Sequence, residues 1–292
     1  MVMDSEPLVS IIIPAYQAER TIAEAVKSLQ AQTWSNWEAI IGSDDGMDYL
    51  EILSRQGLDT KRMRLTQAFT VGSGLGPSSA RNAAQDRARG ELLAHLDADD
   101  AYEPSRLAEL VPLAIEHGVA IDNTGVYNNH RIRYKQPFPD RRALTWATAD
   151  DILQPRIPFF PLYRRDLWRK GWTSVPFAGD VLFNLELLSR SGKMALHPQP
   201  LYRYYKRSGS ITKSATAFES AERSYHQILS LLRSGQLDLT PTVRATALEV
   251  FSQNLSLNRV FRQYMETGRC HDLEEFLDIT KNGRLVSTGA DV

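Results

Sequence analysis

Short apolar runs and amphipathic segments alternate along the first hundred residues of the chain. A β-branched run predicts a strand at residues 9–13, and shorter apolar stretches predict strands at residues 38–41, 63–66 and 92–96. Apolar residues at helical spacing predict helices at residues 21–30 and 49–56. Ser78 or Ser79 is able to cap a third helix, which is predicted to run to Ala88. Strand and helix recur about every 25 residues, which is typical of βαβ units. The first part of the chain is therefore predicted to be an α/β domain with a mainly parallel, doubly wound sheet.

The pattern changes in the later part of the chain. Beyond about residue 120 the alternation becomes irregular, and from Ala215 onward apolar stripes at helical spacing run through residues 225–232 and 243–261. A C-terminal helical extension is the expected result. We predict a domain over residues 1–213, with halves at 8–120 and 121–213, followed by the extension over residues 214–292.

Segments that contain polar side chains follow three of the predicted strands at the point where each strand ends. They occupy residues 14–16, 43–45 and 97–100. In a parallel, doubly wound sheet the carboxyl ends of neighbouring strands meet at one edge, and ligands bind there. The convergence of these three segments predicts a binding site at that edge.

Three carboxylates, Asp97, Asp99 and Asp100, end the apolar run at residues 92–96. On a strand that continues through them, Asp97 and Asp99 point to the same face, where like charges repel each other. Carboxylate oxygens suit hard cations such as Mg²⁺ or Mn²⁺, which couple one or two carboxylates to substrate phosphates. The alternative is that Asp99 or Asp100 is the N-cap of a helix over residues 104–117.

Composition narrows the function classes. The chain has 292 residues, 42% of them hydrophobic and 24% charged, with a net charge of −1, which argues against nucleic acid as a partner. A single cysteine, Cys270, excludes an internal disulfide and a cysteine-based zinc site. Residues 1–7 lack the features of a signal peptide, and no apolar run reaches the roughly 20 residues of a membrane span. We expect a soluble cytoplasmic protein, with docking on a membrane surface left open.

A basic residue opens the third predicted helix. Arg81 follows the glycine-rich segment 72–76, which lacks the ending of a P-loop and is interpreted as a flexible loop. Backbone N–H groups at a helix start favour anions, and a guanidinium there suits a diphosphate. The alternative is a solvated helix arginine.

Taken together, these motifs resemble family 2 glycosyltransferases. The resemblance covers about residues 8–110 and continues more weakly to about residue 213. It rests on the segments 9–16, 28–34, 37–38, 44–46, 80–82 and 96–100, and on the weaker segments 179–183 and 201–205. The resemblance implies the GT-A nucleotide-sugar-binding fold, with residues 8–120 as the donor half and 121–213 as the acceptor half.

The resemblance also implies roles for single residues. Asp99, with Asp97, would bind Mn²⁺ or Mg²⁺. Asp180, in the first turn of a predicted helix, would be the catalytic base; the alternative is that it only caps that helix. The residues that would contact the nucleotide-sugar are Pro14, Ala15, Tyr16, Ser43, Asp44, Arg81, Asp97, Lys206 and Arg207.

The implied activity is inverting, metal-dependent transfer of a sugar from a nucleotide-sugar, most simply a UDP-sugar, to an acceptor hydroxyl in polysaccharide or glycoconjugate biosynthesis. The implied acceptor is a saccharide or a lipid-linked saccharide, and the implied location is the cytoplasm or the inner face of the membrane. Gly179 stands where the family has a glutamate, and Asp44 is one residue later than the family spacing. These departures support an alternative, a non-catalytic nucleotide-sugar-binding or scaffold protein that retains the fold.

Overall fold

The computed structural model of the chain describes residues 6–70, 73–128, 130–169, 171–206, 217–271 and 273–280. The chain divides into two compact units. The first comprises Met1–Ser174, Ala178–Lys206 and Asp238–Val243, and the second comprises Val175–Phe177, Arg207–Leu237 and Arg244–Val292.

Strands and helices alternate along the first unit, as the hydrophobic pattern predicts. The strands are β1 Val9–Ala15, β2 Trp37–Ser43, β3 Met63–Gln67, β4 Phe69–Thr70, β5 Ser73–Gly74, β6 Leu92–His95, β7 Ala101–Tyr102, β8 Val119–Asp122, β9 Gly125–Tyr127, β10 Arg133–Lys135, β11 Thr145–Ala147, β12 Leu162–Arg164, β13 Met194–His197 and β14 Tyr202–Tyr205. The helices are α1 Ile22–Gln30, α2 Tyr49–Arg55, α3 Pro77–Gln85, α4 Arg106–His117, α5 Ala149–Leu153, α6 Gly179–Ser191, α7 Ala217–Ser234, α8 Pro241–Glu266 and α9 Leu273–Ile279, and a 3-10 turn spans Arg165–Leu167.

The main sheet has the order β11-β13-β8-β12-β6-β1-β2-β3 within the described residues. β1 pairs in parallel with β2 and β6, β2 with β3, and β8 with β13, whereas β11 and β12 run antiparallel to their neighbours. β1 and β2 are buried along their whole length, which explains why they appear in the sequence as nearly continuous apolar runs. The predicted α/β class and mainly parallel sheet are confirmed.

The strand order reverses at β1, because β2 and β3 follow on one side and β6 returns on the other. Open α/β sheets bind ligands at such a switch point, outside the carboxyl ends of the strands. Ala15, Ser43 and His95 end β1, β2 and β6. The three polar segments named from the sequence therefore lie at the same edge of the sheet.

The first strand continues past its predicted end at residue 13 and includes Pro14. Pro14 pairs in register with Gly42 of β2, and β1 continues to Ala15. The register of β1 with β6 stops at Ile12, opposite His95. Proline removes a backbone donor, and it is tolerated here because it lies beyond the last residue pair with β6.

Gly42 determines how closely α3 packs on the sheet. A Cβ at Gly42 would overlap the carbonyl oxygen of Ala80, so only glycine allows the helix backbone to approach β2 this closely. Ala80 directly precedes Arg81, and this contact therefore sets the position of Arg81. The helix itself begins at Pro77 with Gly76 as its N-cap and ends at Gln85, so the expectation of a Ser78 or Ser79 cap and an end at Ala88 is wrong.

A smaller sheet with the order β10-β9-β14-β7 lies within the first unit. β14 pairs in parallel with β9 and antiparallel with β7, the short strand that follows residues 97–100. This pairing places the aromatic run Tyr202–Tyr205 beside the carboxylates that follow β6.

The second unit is helical, as predicted. In it Phe261, Cys270 and Phe276 form a buried cluster that joins α8 to α9. Arg244 of α8 donates to the backbone carbonyls of Leu232 and Leu237, which ties α8 to the end of α7. Among the described helices, none has the length and apolar character needed to cross a membrane.

Candidate active site

The carboxylates that follow β6 lie in a turn. The strand ends at His95, and the N–H of Asp100 donates to the carbonyl of Asp97 at 3.0 Å. The expectation that strand alternation places Asp97 and Asp99 on one face is therefore wrong, because the chain leaves the strand before it reaches them. In the turn Asp97 is half-buried, Asp99 is exposed and Asp100 is buried.

Asp100 anchors this turn to β14. Its carboxylate accepts from the Tyr202 hydroxyl at 2.8 Å and from the Tyr205 N–H at 2.9 Å. Burial, together with the charges of Asp99 and Asp97, raises the pKa of Asp100 well above its usual range. The N-cap of α4 is Ser105, so the alternative in which Asp99 or Asp100 caps that helix is wrong.

Arg81 is a desolvated cation at the same edge. It is 8% exposed, and its Nη2 donates to Asp97 Oδ1 at 2.5 Å. The guanidinium lies over the ring of Trp172, 4.4 Å from its centroid, and over Phe160 at 5.4 Å. The alternative of a solvated helix arginine is therefore wrong. A buried guanidinium next to a carboxylate and two aromatic faces is well suited to bind a phosphate.

The residues around Asp97 fit a divalent cation only in part. Among the described residues, no group of three His, Cys, Asp or Glu side chains could hold a metal ion. Asp99 is exposed. The side chain of Asp97 is 25% exposed even though it is paired with Arg81. Two carboxylates suit Mg²⁺ or Mn²⁺ when substrate phosphates and water supply the other ligands. The donor set thus fits a cation that binds together with a diphosphate.

The carboxylates that follow β2 organise two neighbouring loops. Asp44 is buried, and its two oxygens accept from the N–H groups of Leu75 and Gly76 at 2.7 and 2.8 Å. Asp45 accepts from the Gln17 N–H at 2.6 Å. Burial favours a higher pKa for Asp45, but the hydrogen bonds that its charged carboxylate accepts, including the one from Gln17, hold its pKa below the usual value. Asp44 thus ties the glycine-rich segment to β2, and Asp45 ties down the loop after β1.

Ser43 and the residues that end β1 have different exposures. Ser43 is buried, and its hydroxyl hydrogen is shared between Asp45 Oδ1 at 3.1 Å and the Met47 carbonyl at 3.0 Å. Pro14 and Ala15 are buried in the sheet, whereas Tyr16 is 56% exposed. Of these residues, Tyr16 offers a free aromatic surface at the sheet edge.

We expect Asp44→Asn to weaken the loop that precedes α3. An amide has only one acceptor oxygen, so one of the two loop N–H groups would face an amide donor. The expected loss in the free energy of unfolding is about 1–3 kcal/mol, measured by urea denaturation. Asp48→Asn is the matched control: a single oxygen of Asp48, the N-cap of α2, accepts both of its N–H bonds, and asparagine caps equally well. Equal losses in the two variants would contradict this role for Asp44.

Asp180 lies in the first turn of α6, one residue after Gly179. The N-cap is Ala178, in the left-handed region at φ 61°, and it makes no side-chain cap, so Asp180 is not the N-cap residue. Burial raises the pKa of Asp180, which the charge of Arg81 and the backbone N–H groups of Asp180 and Val181 oppose. The charge of Asp97 raises it further. A carboxyl held above its usual pKa near Arg81 is suited to accept a proton.

Of the two basic residues that follow β14 and were predicted to contact the nucleotide-sugar, the structure describes one. Lys206 directly follows β14, and its N–H donates to the Tyr127 carbonyl at 2.9 Å. Arg207 lies outside the described residues.

Sequence reasoning did not single out three side chains at this edge. Tyr202 hydrogen-bonds to Asp100, and its hydroxyl accepts from the Asp97 N–H at 3.1 Å. Tyr204 lies two residues further along β14, on the same face as Tyr202. Burial and the charges of Asp100, Asp99, Asp97 and Asp180 raise its pKa, so its phenol stays protonated and neutral. The alternation of tyrosines in residues 202–205 was the only sequence feature that could have pointed to Tyr202 and Tyr204. For Trp172, the third side chain, no sequence feature distinguishes it from a core residue.

Known proteins match the sequence of this chain. The family model for glycosyl transferase family 2 matches residues 10–172. The Escherichia coli UDP-Glc:alpha-D-GlcNAc-diphosphoundecaprenol beta-1,3-glucosyltransferase WfgD is 31% identical over 136 residues, which is 46% of this chain and 52% of WfgD. The uncharacterized glycosyltransferase EpsJ of Bacillus subtilis is 29% identical over 222 residues, 71% of this chain and 63% of EpsJ. The chain thus spans between half and two thirds of these relatives.

Solved structures share the fold at low sequence identity. S. aureus TarS 1-349 in complex with UDP-GlcNAc superposes with a TM-score of 0.64 at 19% identity, covering 95% of this chain and 79% of TarS 1-349. The mannosyltransferase PcManGT from Pyrobaculum calidifontis, in complex with GDP-Man and Mn²⁺, superposes with a TM-score of 0.55 at 15% identity, covering 95% and 80%. The family match over more than half of the residues, carried on this GT-A-like α/β fold, shows that the chain belongs to glycosyl transferase family 2.

Proposed function

We propose that this chain transfers a sugar from a nucleotide-sugar, and specifically a UDP-sugar, to an acceptor hydroxyl, with inversion at the anomeric carbon. The observation that supports this most strongly is the grouping at the switch point of the sheet. There, Arg81 is bonded to Asp97, Asp99 is exposed beside them, and Asp180 is close enough for its pKa to respond to both Arg81 and Asp97. A cation, two candidate metal ligands and a candidate base are the parts that such a transfer needs.

The donor half binds the nucleotide in this proposal. Tyr16 packs against the base at the end of β1, with Pro14 and Ala15 beneath it, and Ser43 and Asp44 lie at the base end. Arg81 contacts the diphosphate, with Lys206 and Arg207 from the acceptor half. Asp99 and Asp97 would hold Mn²⁺ or Mg²⁺, which would supply positive charge to neutralise the charge that develops on the leaving group.

Asp180 is the catalytic base in this proposal. As the acceptor oxygen bonds to the anomeric carbon, the bond from that carbon to the diphosphate oxygen breaks, and Asp180 takes the acceptor proton. Attack opposite the leaving group inverts the anomeric configuration. Since Asp97 and Asp99 are assigned to the metal and Asp100 to the tyrosines of β14, Asp180 is the carboxylate left for this step.

Relatives support the class of acceptor. WfgD is named for transfer to a diphosphoundecaprenol-linked sugar, and the succinoglycan biosynthesis protein ExoO of Rhizobium meliloti is 26% identical over 227 residues. We therefore propose a saccharide or lipid-linked saccharide acceptor and a role in polysaccharide or glycoconjugate synthesis. A cytoplasmic protein that touches the inner face of the membrane would meet such an acceptor.

A screen of nucleotide-sugars tests the proposal. Many transferases slowly hydrolyse their own donor, so we expect release of UDP from one UDP-sugar in the presence of Mn²⁺ and none with a chelator. Asp180→Asn and Asp99→Ala serve as comparison variants. If the protein binds a nucleotide-sugar but turns over no donor, with or without acceptor extracts, the non-catalytic alternative would be favoured.

The pH dependence of transfer should reflect Asp180. A base must be deprotonated, and burial raises the pKa of Asp180, so kcat/KM for the acceptor should fall as the pH drops through that raised pKa. Arg81 opposes the rise, so Arg81→Gln should move the acidic limb of the profile to higher pH. The measurement is the pH–rate profile of each protein at saturating donor. An acidic limb that Arg81→Gln leaves in place, or moves to lower pH, would contradict the assignment.

A further inference from the structure

A pair of hydrogen bonds clamps α3 to the loop that contains Trp172. The Asn82 side-chain N–H donates to the backbone carbonyl of Trp172 at 3.0 Å, and the backbone N–H of Trp172 donates to Asn82 Oδ1 at 2.7 Å. Both ends of one side-chain amide are thus used on the backbone of one residue. Gly171 permits this approach, because a Cβ there would lie 2.5 Å from Asn82 Oδ1.

The residue fixed by this clamp supports the Arg81 side chain. The Trp172 indole is 3% exposed, and the Arg81 guanidinium lies 4.4 Å from its centroid. On the same indole, Phe183 of α6 stacks with centroids 4.3 Å apart and planes 7° apart. Trp172 therefore lies between Arg81, which belongs to the donor half, and the helix that carries Asp180.

A guanidinium recognises phosphate through the orientation of its planar N–H groups. Asp97 fixes one edge of the Arg81 plane at 2.5 Å, and the Trp172 ring fixes its face. Asn82 holds the backbone from which that ring projects, so a shift of this backbone would tilt the guanidinium.

We propose that Asn82 is a positioning residue that acts through Trp172 to orient Arg81 toward the donor diphosphate. This inference rests on the proposed role of Arg81 in donor binding. Asn82 itself touches neither the donor nor the acceptor; its contribution is to keep the guanidinium in the plane that Asp97 and Trp172 define.

The test is a double-mutant cycle of Asn82→Ala and Arg81→Gln, read by calorimetric binding of UDP with Mn²⁺. Asn82→Ala should weaken binding by roughly tenfold in the wild-type background and have no further effect in the Arg81→Gln background. Gly171→Ala, which pushes on the clamp from the other side, should reproduce the loss. Ser78→Ala is the matched control: it removes a 3.2 Å bond from the same helix to the Thr173 carbonyl without touching Trp172, and it should bind UDP as wild type does.

Wild-type affinity in Asn82→Ala, or an equal loss in both backgrounds, would overturn the proposal while leaving the proposed function intact. If the wild-type protein binds no nucleotide, the proposed function fails, and the clamp is then judged in the ligand-free protein. There the same cycle is read as the free energy of unfolding: coupling between the two substitutions supports positioning of Arg81 by Asn82, and simple additivity contradicts it.

Discussion

Asp180→Asn is expected to abolish sugar transfer while donor affinity stays close to that of the wild type. The amide is nearly isosteric with the carboxylate, but it cannot accept the acceptor proton. Loss of a general base commonly lowers the rate by about 10²–10⁴-fold. Product formation by chromatography gives the rate, and calorimetry with UDP and Mn²⁺ gives the donor affinity.

Asp150→Asn is the matched control for this substitution. Asp150 is the second residue of α5, as Asp180 is of α6, but it is exposed on a different helix. The same change of charge at the same helix position should leave transfer unchanged there. Wild-type turnover in Asp180→Asn would show that Asp180 acts only on its helix and that the base is elsewhere.

Asp99→Ala is expected to uncouple nucleotide binding from the divalent cation. The wild-type protein should bind UDP more tightly with Mn²⁺ than with a chelator, and the variant should lose that difference. Substitutions around a metal that do not remove a ligand already cost about 10–100-fold in metal affinity, so removing a ligand should cost at least as much. Calorimetry with UDP, with and without Mn²⁺, measures both affinities.

Asp86→Ala provides the comparison for Asp99→Ala. Asp86 is an exposed carboxylate at the far end of α3, so its removal changes the net charge equally. It should leave the Mn²⁺ effect intact. The metal assignment is contradicted if wild-type protein binds UDP equally well with Mn²⁺ and with chelator, or if Asp86→Ala and Asp99→Ala lose the effect equally.

The part of the fold that surrounds the candidate site was accessible from sequence because it is made of local patterns. The run at residues 9–13 is buried on both faces of the sheet, so burial and β-branching coincide and predict β1 directly. Its end was less predictable. Pro14 can remain in β1 because the residue pairs between β1 and β6 stop before it. That depends on the register of two strands that are far apart in the sequence.

The candidate site was predictable only where charge follows directly on a strand. Asp97 and Asp99 come after an apolar run, and Asp180 opens an amphipathic helix, so the sequence brings them to attention. Asp100 belongs to the same run, yet its bonds to Tyr202 and Tyr205 span more than a hundred residues and have no local signal. The Asn82–Trp172 clamp spans 90 residues and depends on Gly171, so it too emerges only in three dimensions.

In the proposed mechanism, Asp97, Asp99, Arg81 and Asp180 surround one bound nucleotide-sugar. A crystal structure of the protein with UDP-sugar and Mn²⁺, with an anomalous difference map for manganese, tests it most directly. We expect a manganese peak at the Asp99 carboxylate, the diphosphate between that ion and Arg81, and the anomeric carbon facing Asp180. A nucleotide bound elsewhere, or a diphosphate that contacts neither Asp99 nor Arg81, would contradict it.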